Sequence, residues 1–341
     1  MRGLHWAKAC GRGPDLRLAL ATAVPYGPPV HEERPEGNAF SAERYAKLAG
    51  FDSDWRDGWW SEDFLGLLAS RWRLDRVQRL LDVGSGGGHW GQRLAKWLPD
   101  GAELVGVDRE QGFLEGAAAR AEERGLSGAT YVRGDAESLP FEDATFDAVT
   151  CQTVLMHVAN PAAALAEMRR ILKPGGLVIV SEPDNMANAM VEMSANPRPD
   201  WKTASALLGF LHVVEVGKEA RGQGDSSIGA RMAGLVADAG FEQVTACTND
   251  RCAALHPPYA TRTQQVDLAQ EIEWAEGDVW PAAGHREDAH RLFLAGGGAA
   301  EDFDDLWQLQ MTRQRTVREA MEAGTYSAGR GFVQYVVWGR R

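Results

Sequence analysis

Cysteine is scarce in this sequence, a basic excess is missing, and no apolar run approaches the eighteen or so residues that a membrane helix needs. The four cysteines, Cys10, Cys151, Cys247 and Cys252, lack paired Cys-x-x-Cys spacing, so neither a zinc site nor a disulfide framework is expected, and a reducing cytoplasm is the expected location. With 48 acidic against 36 basic side chains the net charge is -12, which repels phosphate backbones. No local basic stripe offsets it, so neither a nucleic acid nor a membrane is expected as a partner, and a small molecule fits better. Hydrophobic residues at 44% and charged residues at 25% exclude a largely disordered chain, and 341 residues suffice for one large domain with insertions or for two domains.

Residues 1–40 carry "GRGPD", "PYGPPV" and "ERPEGN", a density of Pro, Gly and charge that reads as a poorly ordered tail. Their apolar stretch "LRLALATAV" is weighed as a signal peptide, but it is short and starts late. From Ser41 the pattern turns regular. "SAERYAKLAG" and "SEDFLGLLASRW" predict amphipathic helices, the second opened by a Ser cap and acidic residues. Strand and helix signals then alternate: "RLLDVG", "WGQRLAKWL", "ELVGVD", "QGFLEGAAARAEERG", "ATYVRGD", "TFDAVTCQ", "PAAALAEMRRIL" and "GLVIVSEP". Such alternation predicts an α/β fold, a mostly parallel sheet with helices on both faces, which binds ligands beyond the carboxyl ends of its strands.

The first strand runs into five glycines, and these permit two readings. From Gly86, "GGGHWG" satisfies the G-x-G-x-x-G dinucleotide fingerprint, with Asp108 about twenty residues on as a ribose-binding acid. From Asp82, "DVGSGGG" satisfies D-x-G-x-G-x-G, and Asp108 suits that reading equally because both ligands present a ribose diol. The downstream wording separates them. "GDAESLPFEDATFDAVTCQTVLMHV", "LKPGGLVIVSEPD", "GARMAGLVADAGFEQVTAC" and the closing "GFVQYVVWGRR" follow in order. The chain from about Arg79 to Asp184, and these last two segments, resembles the class I S-adenosylmethionine-dependent methyltransferases of the small-molecule, type 11-like branch.

That resemblance implies a Rossmann-like seven-stranded sheet whose last strand is antiparallel, with S-adenosyl-L-methionine as cofactor and a small-molecule methyl acceptor as partner. It implies that Gly84, Ser85, Gly86 and Gly88 let the backbone approach the methionine part of the cofactor, and that Asp82 orients the ammonium group. Asp108, with Arg109 beside it, would hold the ribose; Asp135 and the Ala136 amide would meet adenine; Gln152 would face the same cleft. Methyl transfer needs alignment more than acid–base chemistry, so a base matters only when the nucleophile has a proton to lose. His157, Glu182 and Asp184 are the candidates near the ends of the fourth and fifth strands. His157 reads as a base or as cofactor wall, and Glu182 as a base or as a hydrogen-bond partner of a loop.

Residues beyond such a core are expected to form a cap over the substrate: 185–228 and 250–330, divided by a core helix and sixth strand at 229–249 and closed by a last strand at 331–341. Residues 41–184 would hold the N-terminal lid helices and the cofactor core. The stretch 250–330 has fourteen acidic and eight basic residues, a net -6, and its "EDFDDLWQLQMTRQRTVREAMEAG" predicts an amphipathic helix with acids at its start. "HPPY" reads as a turn, because an amine-orienting motif of that kind belongs directly after the fourth strand. Cys247 and Cys252 read as packing residues. Trp55, Trp59, Trp60, Trp201, Trp274 and Trp280 read as packing or as an aromatic wall, with Trp55, Trp59 or Trp60 becoming shielded on ligand binding. The expected activity is methylation of an oxygen or nitrogen of a small molecule. Carbon methylation of a quinone-like ring and non-catalytic cofactor binding stand as alternatives, and oligomeric state is open.

Overall fold

A computed structural model describes residues 54–274, 279–330 and 333–341. The tail at 1–40 and the helix expected over "SAERYAKLAG" lie outside the described residues, as do the side chains of Trp55 and Trp274. Five parallel strands come first: β1 (Arg79–Val83), β2 (Glu103–Asp108), β3 (Ala129–Arg133), β4 (Phe146–Gln152) and β5 (Leu172–Pro183). The sixth strand, β6 (Glu242–Thr248), and the last, β7 (Gln334–Arg340), complete a sheet in the order β3-β2-β1-β4-β5-β7-β6. β7 lies antiparallel to both neighbours, pairing Gln334 with Pro183 and Arg340 with Leu177 on one side and Tyr335 with Thr248 on the other. This is the α/β, Rossmann-like, seven-stranded topology that the resemblance implied.

The sheet is buried on both faces, which explains strands that read as continuous apolar runs. Leu81, Val83, Val149, Val178 and Val180 pack on one face with Leu165 and Met168 of α4 (Pro161–Ile171) and Met232 and Val236 of α7 (Met232–Asp238). Their chain neighbours Leu80, Ala148, Leu177 and Ile179 point the other way, onto Leu65, Leu68 and Trp72 of α1 (Glu62–Trp72) and Trp90 and Leu94 of α2 (His89–Ala95). The two-residue period of a strand sorts them. Helix α3 (Gln111–Glu123) covers β2 and β3. Ser61 precedes α1 in extended backbone, but its side chain makes no cap hydrogen bond.

Helices α5 (Asn185–Glu192) and α6 (Trp201–Ala220) follow β5; α8 (Arg262–Trp274), α9 (Arg286–Ala295) and α10 (Phe303–Glu322) lie between β6 and β7. The two insertions share a hydrophobic core of their own. Phe210 on α6 stacks on Trp280 at 4.8 Å between ring centroids and meets Phe293 and Phe303 edge-on at 5.4 and 5.9 Å. Asp200 caps α6 through the amides of Lys202 and Thr203. "HPPY" is a turn closed by the Tyr259 amide on the His256 carbonyl.

Two packing expectations need correction. Cys252 is exposed, its Sγ lying over Gly329 outside any core, whereas Cys247 is half-buried against the α1–α2 core. Trp59 and Trp60 are already buried, so neither awaits a ligand for shielding; Trp201, by contrast, is 73% exposed. Among the described residues no helix is long and apolar enough to cross a membrane. Phe210→Ala is expected to lower unfolding free energy by about 3–5 kcal/mol, as loss of a buried aromatic does, whereas the same truncation at exposed Leu67 shifts it by less than about 0.5 kcal/mol. Urea unfolding of the two variants checks this.

Candidate active site

The carboxyl edge of the sheet is shaped by one sharp turn after β1. Gly84, Gly86 and Gly88 have φ of 63°, 50° and 78°, the left-handed region that favours glycine. At Gly84 space matters as well: a Cβ there would stand 2.5 Å from a methyl of Val154. The turn is tied down by the Ser85 amide on the Val107 carbonyl and by Arg120 Nε on the Gly87 carbonyl at 3.1 Å. Helix α2 starts immediately after it, with the Gly91 amide donating to Asp82 and the Gln92 amide to the Gly88 carbonyl.

Asp108, at the end of β2, accepts from the Gly86 amide at Oδ2 (2.9 Å) and from the Glu110 amide at Oδ1 (3.0 Å). One carboxylate offers about four lone-pair positions, so two bonds fix its plane and leave acceptor capacity for a diol. Burial pushes its pKa up, and the two amides pull against that. Asp82 is buried within β1, accepts from the Gly91 amide at 2.9 Å, and is pushed up to about 7 by burial. Asp135 accepts from the Glu137 amide and lies with Ala136 in the loop after β3. Arg109 is exposed and faces Glu110 at 3.7 Å.

At the end of β4 the chain reverses. Thr153 has φ of 54°, an unfavourable conformation for a β-branched residue. What holds it is Glu182. This fully buried carboxylate accepts from Val154 and Leu155 at Oε1 (2.9 Å each) and from Met156 at Oε2 (3.2 Å). Burial still pushes Glu182 up to about 7 against those three amides. Asp184 caps α5 by accepting from the Ala187 amide, while His157 stands at the end of the reversed segment. The structure therefore gathers Asp82, Gly84, Ser85, Gly86, Gly88, Asp108 and Gln152 at one edge, and puts Glu182 beneath it.

Among the described residues, Ser85 Oγ and Gln152 Nε2 are buried at this edge without a hydrogen-bond partner, as is Gln92 Oε1 beside the Gly88 turn. Unpaired buried polar groups cost roughly 1–3 kcal/mol each, so their persistence marks room for a polar ligand. A turn that excludes side chains, an oriented carboxylate and these unsatisfied groups fit an amino-acid nucleoside such as S-adenosylmethionine. Among the described residues no group of three His, Cys, Asp or Glu could hold a metal ion.

A family model described as a methyltransferase domain matches residues 81–180. A ubiquinone/menaquinone biosynthesis C-methyltransferase of Dinoroseobacter shibae is 32% identical over 54% of this chain and 73% of its own. An uncharacterized 37.1 kDa transposon protein of Streptomyces fradiae is 36% identical over 47% of this chain, and an uncharacterized methyltransferase of Schizosaccharomyces pombe 39% over 33%. This chain spans 42% of the length of each of those two. The protein belongs to the class I S-adenosylmethionine-dependent methyltransferases, whose cofactor is S-adenosylmethionine.

Two outcomes follow. Glu182→Ala strands three buried amides and should cost at least about 2 kcal/mol, with hydrogen exchange at 154–157 accelerated beyond the rest of the sheet. Asp82 holds its proton more tightly folded than unfolded, so its contribution to stability falls as pH rises from the ordinary carboxyl range toward about 7. Asp82→Asn keeps an acceptor for Gly91 and removes this term; unfolding free energies between pH 4 and 8 should show the variant gaining on the parent as pH rises.

Proposed function

We propose that the protein transfers a methyl group from S-adenosylmethionine to an oxygen or nitrogen of a small molecule. The observation that carries this reading is the conjunction of the positive-φ glycine turn with Asp108, whose carboxylate is held by the turn's own Gly86 amide. In this reading Asp108 accepts the ribose hydroxyls in charge-assisted bonds, and Asp82 and the glycine turn receive the charged amino-acid end. Asp135 and the Ala136 amide would meet the adenine edge, Gln152 and Ser85 would complete the polar wall, and exposed Arg109 would lie at the rim.

The cofactor, when bound, supplies a methyl already activated on a sulfonium. The protein's part is then alignment and exclusion of water. Glu182 acts here as a positioning residue: its oxygens are taken up by residues 154–156, so it sets the backbone that carries Gln152 and His157. His157, at the end of the reversed segment, has its pKa pushed down to about 3, by desolvation first and by the Lys218 and Arg109 charges next, so in this reading it lines the cleft as a neutral imidazole rather than taking a proton. The insertions at 185–228 and 250–330, joined by one core, serve in this reading as a single substrate cap.

A second reading, carbon methylation of a quinone-like ring, is favoured by the 32% identity to the C-methyltransferase over 73% of that protein's length. Both readings demand the same cofactor. Calorimetry should give tight binding of S-adenosylhomocysteine and none of NAD, with Asp108→Ala weakening the former by about 1.5–3 kcal/mol while the fold persists. Heat with NAD and silence with S-adenosylhomocysteine would remove the methyltransferase reading.

A further inference from the structure

The polar residues at the β5–β7 edge exceed what cofactor binding uses. Ser181 on β5 and Gln334 on β7 are both fully buried, and Ser181 Oγ donates to Gln334 Oε1 at 2.8 Å. That bond aims the other end of the amide away from Ser181, and among the described residues Gln334 Nε2 has no partner. The backbone of Gln334 is pinned as well, its amide donating to Asn249 Oδ1 at 3.1 Å and its carbonyl accepting from the Asn249 amide at 2.9 Å.

Register brings this pair beside the cofactor edge. Gln152 lies opposite Ser181, and Ser181 lies opposite Val336, two residues from Gln334 on the same face. Two buried, unpartnered amide donors, Gln152 Nε2 and Gln334 Nε2, therefore flank Ser181. Thr150, one side-chain position below Gln152, accepts from the Trp90 indole at 2.7 Å. Trp60 packs against that indole at 5.2 Å and leaves its own N–H without a partner. Apolar side chains at these strand positions would avoid the desolvation cost, so the donors point to an acceptor that arrives with a ligand.

We propose that Gln334, oriented by Ser181, donates a hydrogen bond to an oxygen of the methyl acceptor, which makes the substrate class a small molecule bearing a carbonyl, carboxylate or phenolic oxygen. The inference rests on the methyltransferase reading and narrows it. Donors at this edge oppose an ammonium group and match an oxygen.

Calorimetry on the full chain saturated with S-adenosylhomocysteine tests it, with 4-hydroxybenzoate, catechol and 1,4-dihydroxynaphthalene as probes and benzylamine as the oxygen-free comparison. At least one oxygenated probe should bind, and bind more tightly than benzylamine. Gln334→Met combined with Ser181→Ala should weaken that probe by about ten-fold or more and leave S-adenosylhomocysteine within about two-fold. Gln334→Met alone removes the amide donor and carries the same expectation should the double variant fold poorly. Normal cofactor-product binding with no oxygenated probe bound, or with probe affinity unchanged in the variants, overturns the proposal alone. Absence of S-adenosylhomocysteine binding in the parent protein overturns the methyltransferase reading and this proposal with it.

Discussion

Everything at the carboxyl edge depends on one buried carboxylate. Glu182 collects the amides of Val154, Leu155 and Met156, and so keeps the chain reversed after β4 with Thr153 in a left-handed conformation. Val154, held in this way, packs where a Cβ of Gly84 would otherwise stand. The glycine turn in turn presents the Gly86 amide to Asp108. A single acid on β5 thus reaches, through one loop and one missing side chain, the carboxylate at the end of β2. Backbone strain of order 1–3 kcal/mol at a non-glycine residue persists only where neighbours over-determine it, and here three hydrogen bonds do.

Burial sets the electrostatics of the same region. Asp82 and Glu182 both have their proton affinity raised to about 7, and Asp108 is raised in the same direction. Backbone amides partly compensate all three, and the Arg109 charge adds to them at Asp108. Burial favours the neutral form of these carboxyls, and a ligand that brings positive charge would draw them to their charged form, which couples their ionisation to binding.

Much of this was legible in the sequence. Apolar strands separated by helical periods predict the parallel core, and the order of β1 to β5 follows from that alternation. Glycines 84, 86 and 88 could be read because positive φ leaves a compositional trace, and Asp82 and Asp108 because their spacing from that turn is set by strand and helix lengths. The left-handed Thr153 leaves no such trace: threonine predicts extended backbone, and only the distant Glu182 overrides it. Glu182 read equally well as a base or as a loop partner because a local window does not register whether a carboxylate faces solvent or three amides. Trp59 and Trp60 read as a lid for the same reason; their burial comes from packing against α1, α2 and the sheet.

The Ser181–Gln334 contact marks the limit of local reading most sharply, since its partners are 153 positions apart and meet only because β7 inserts antiparallel between β5 and β6. A signal was nevertheless present. In β7 the residues on Gln334's face continue as Val336 and Trp338, an apolar stripe that makes a polar first member costly if it is buried. In β5 Ser181 interrupts the apolar stripe of Leu177, Ile179 and Pro183, and in β4 Ala148 is followed by Thr150 and Gln152. Three neighbouring strands thus carry polar residues on one face, at the end where α/β sheets receive ligands. That shared feature is stronger evidence for a polar ligand than any one glutamine, because packing alone would have continued the stripes.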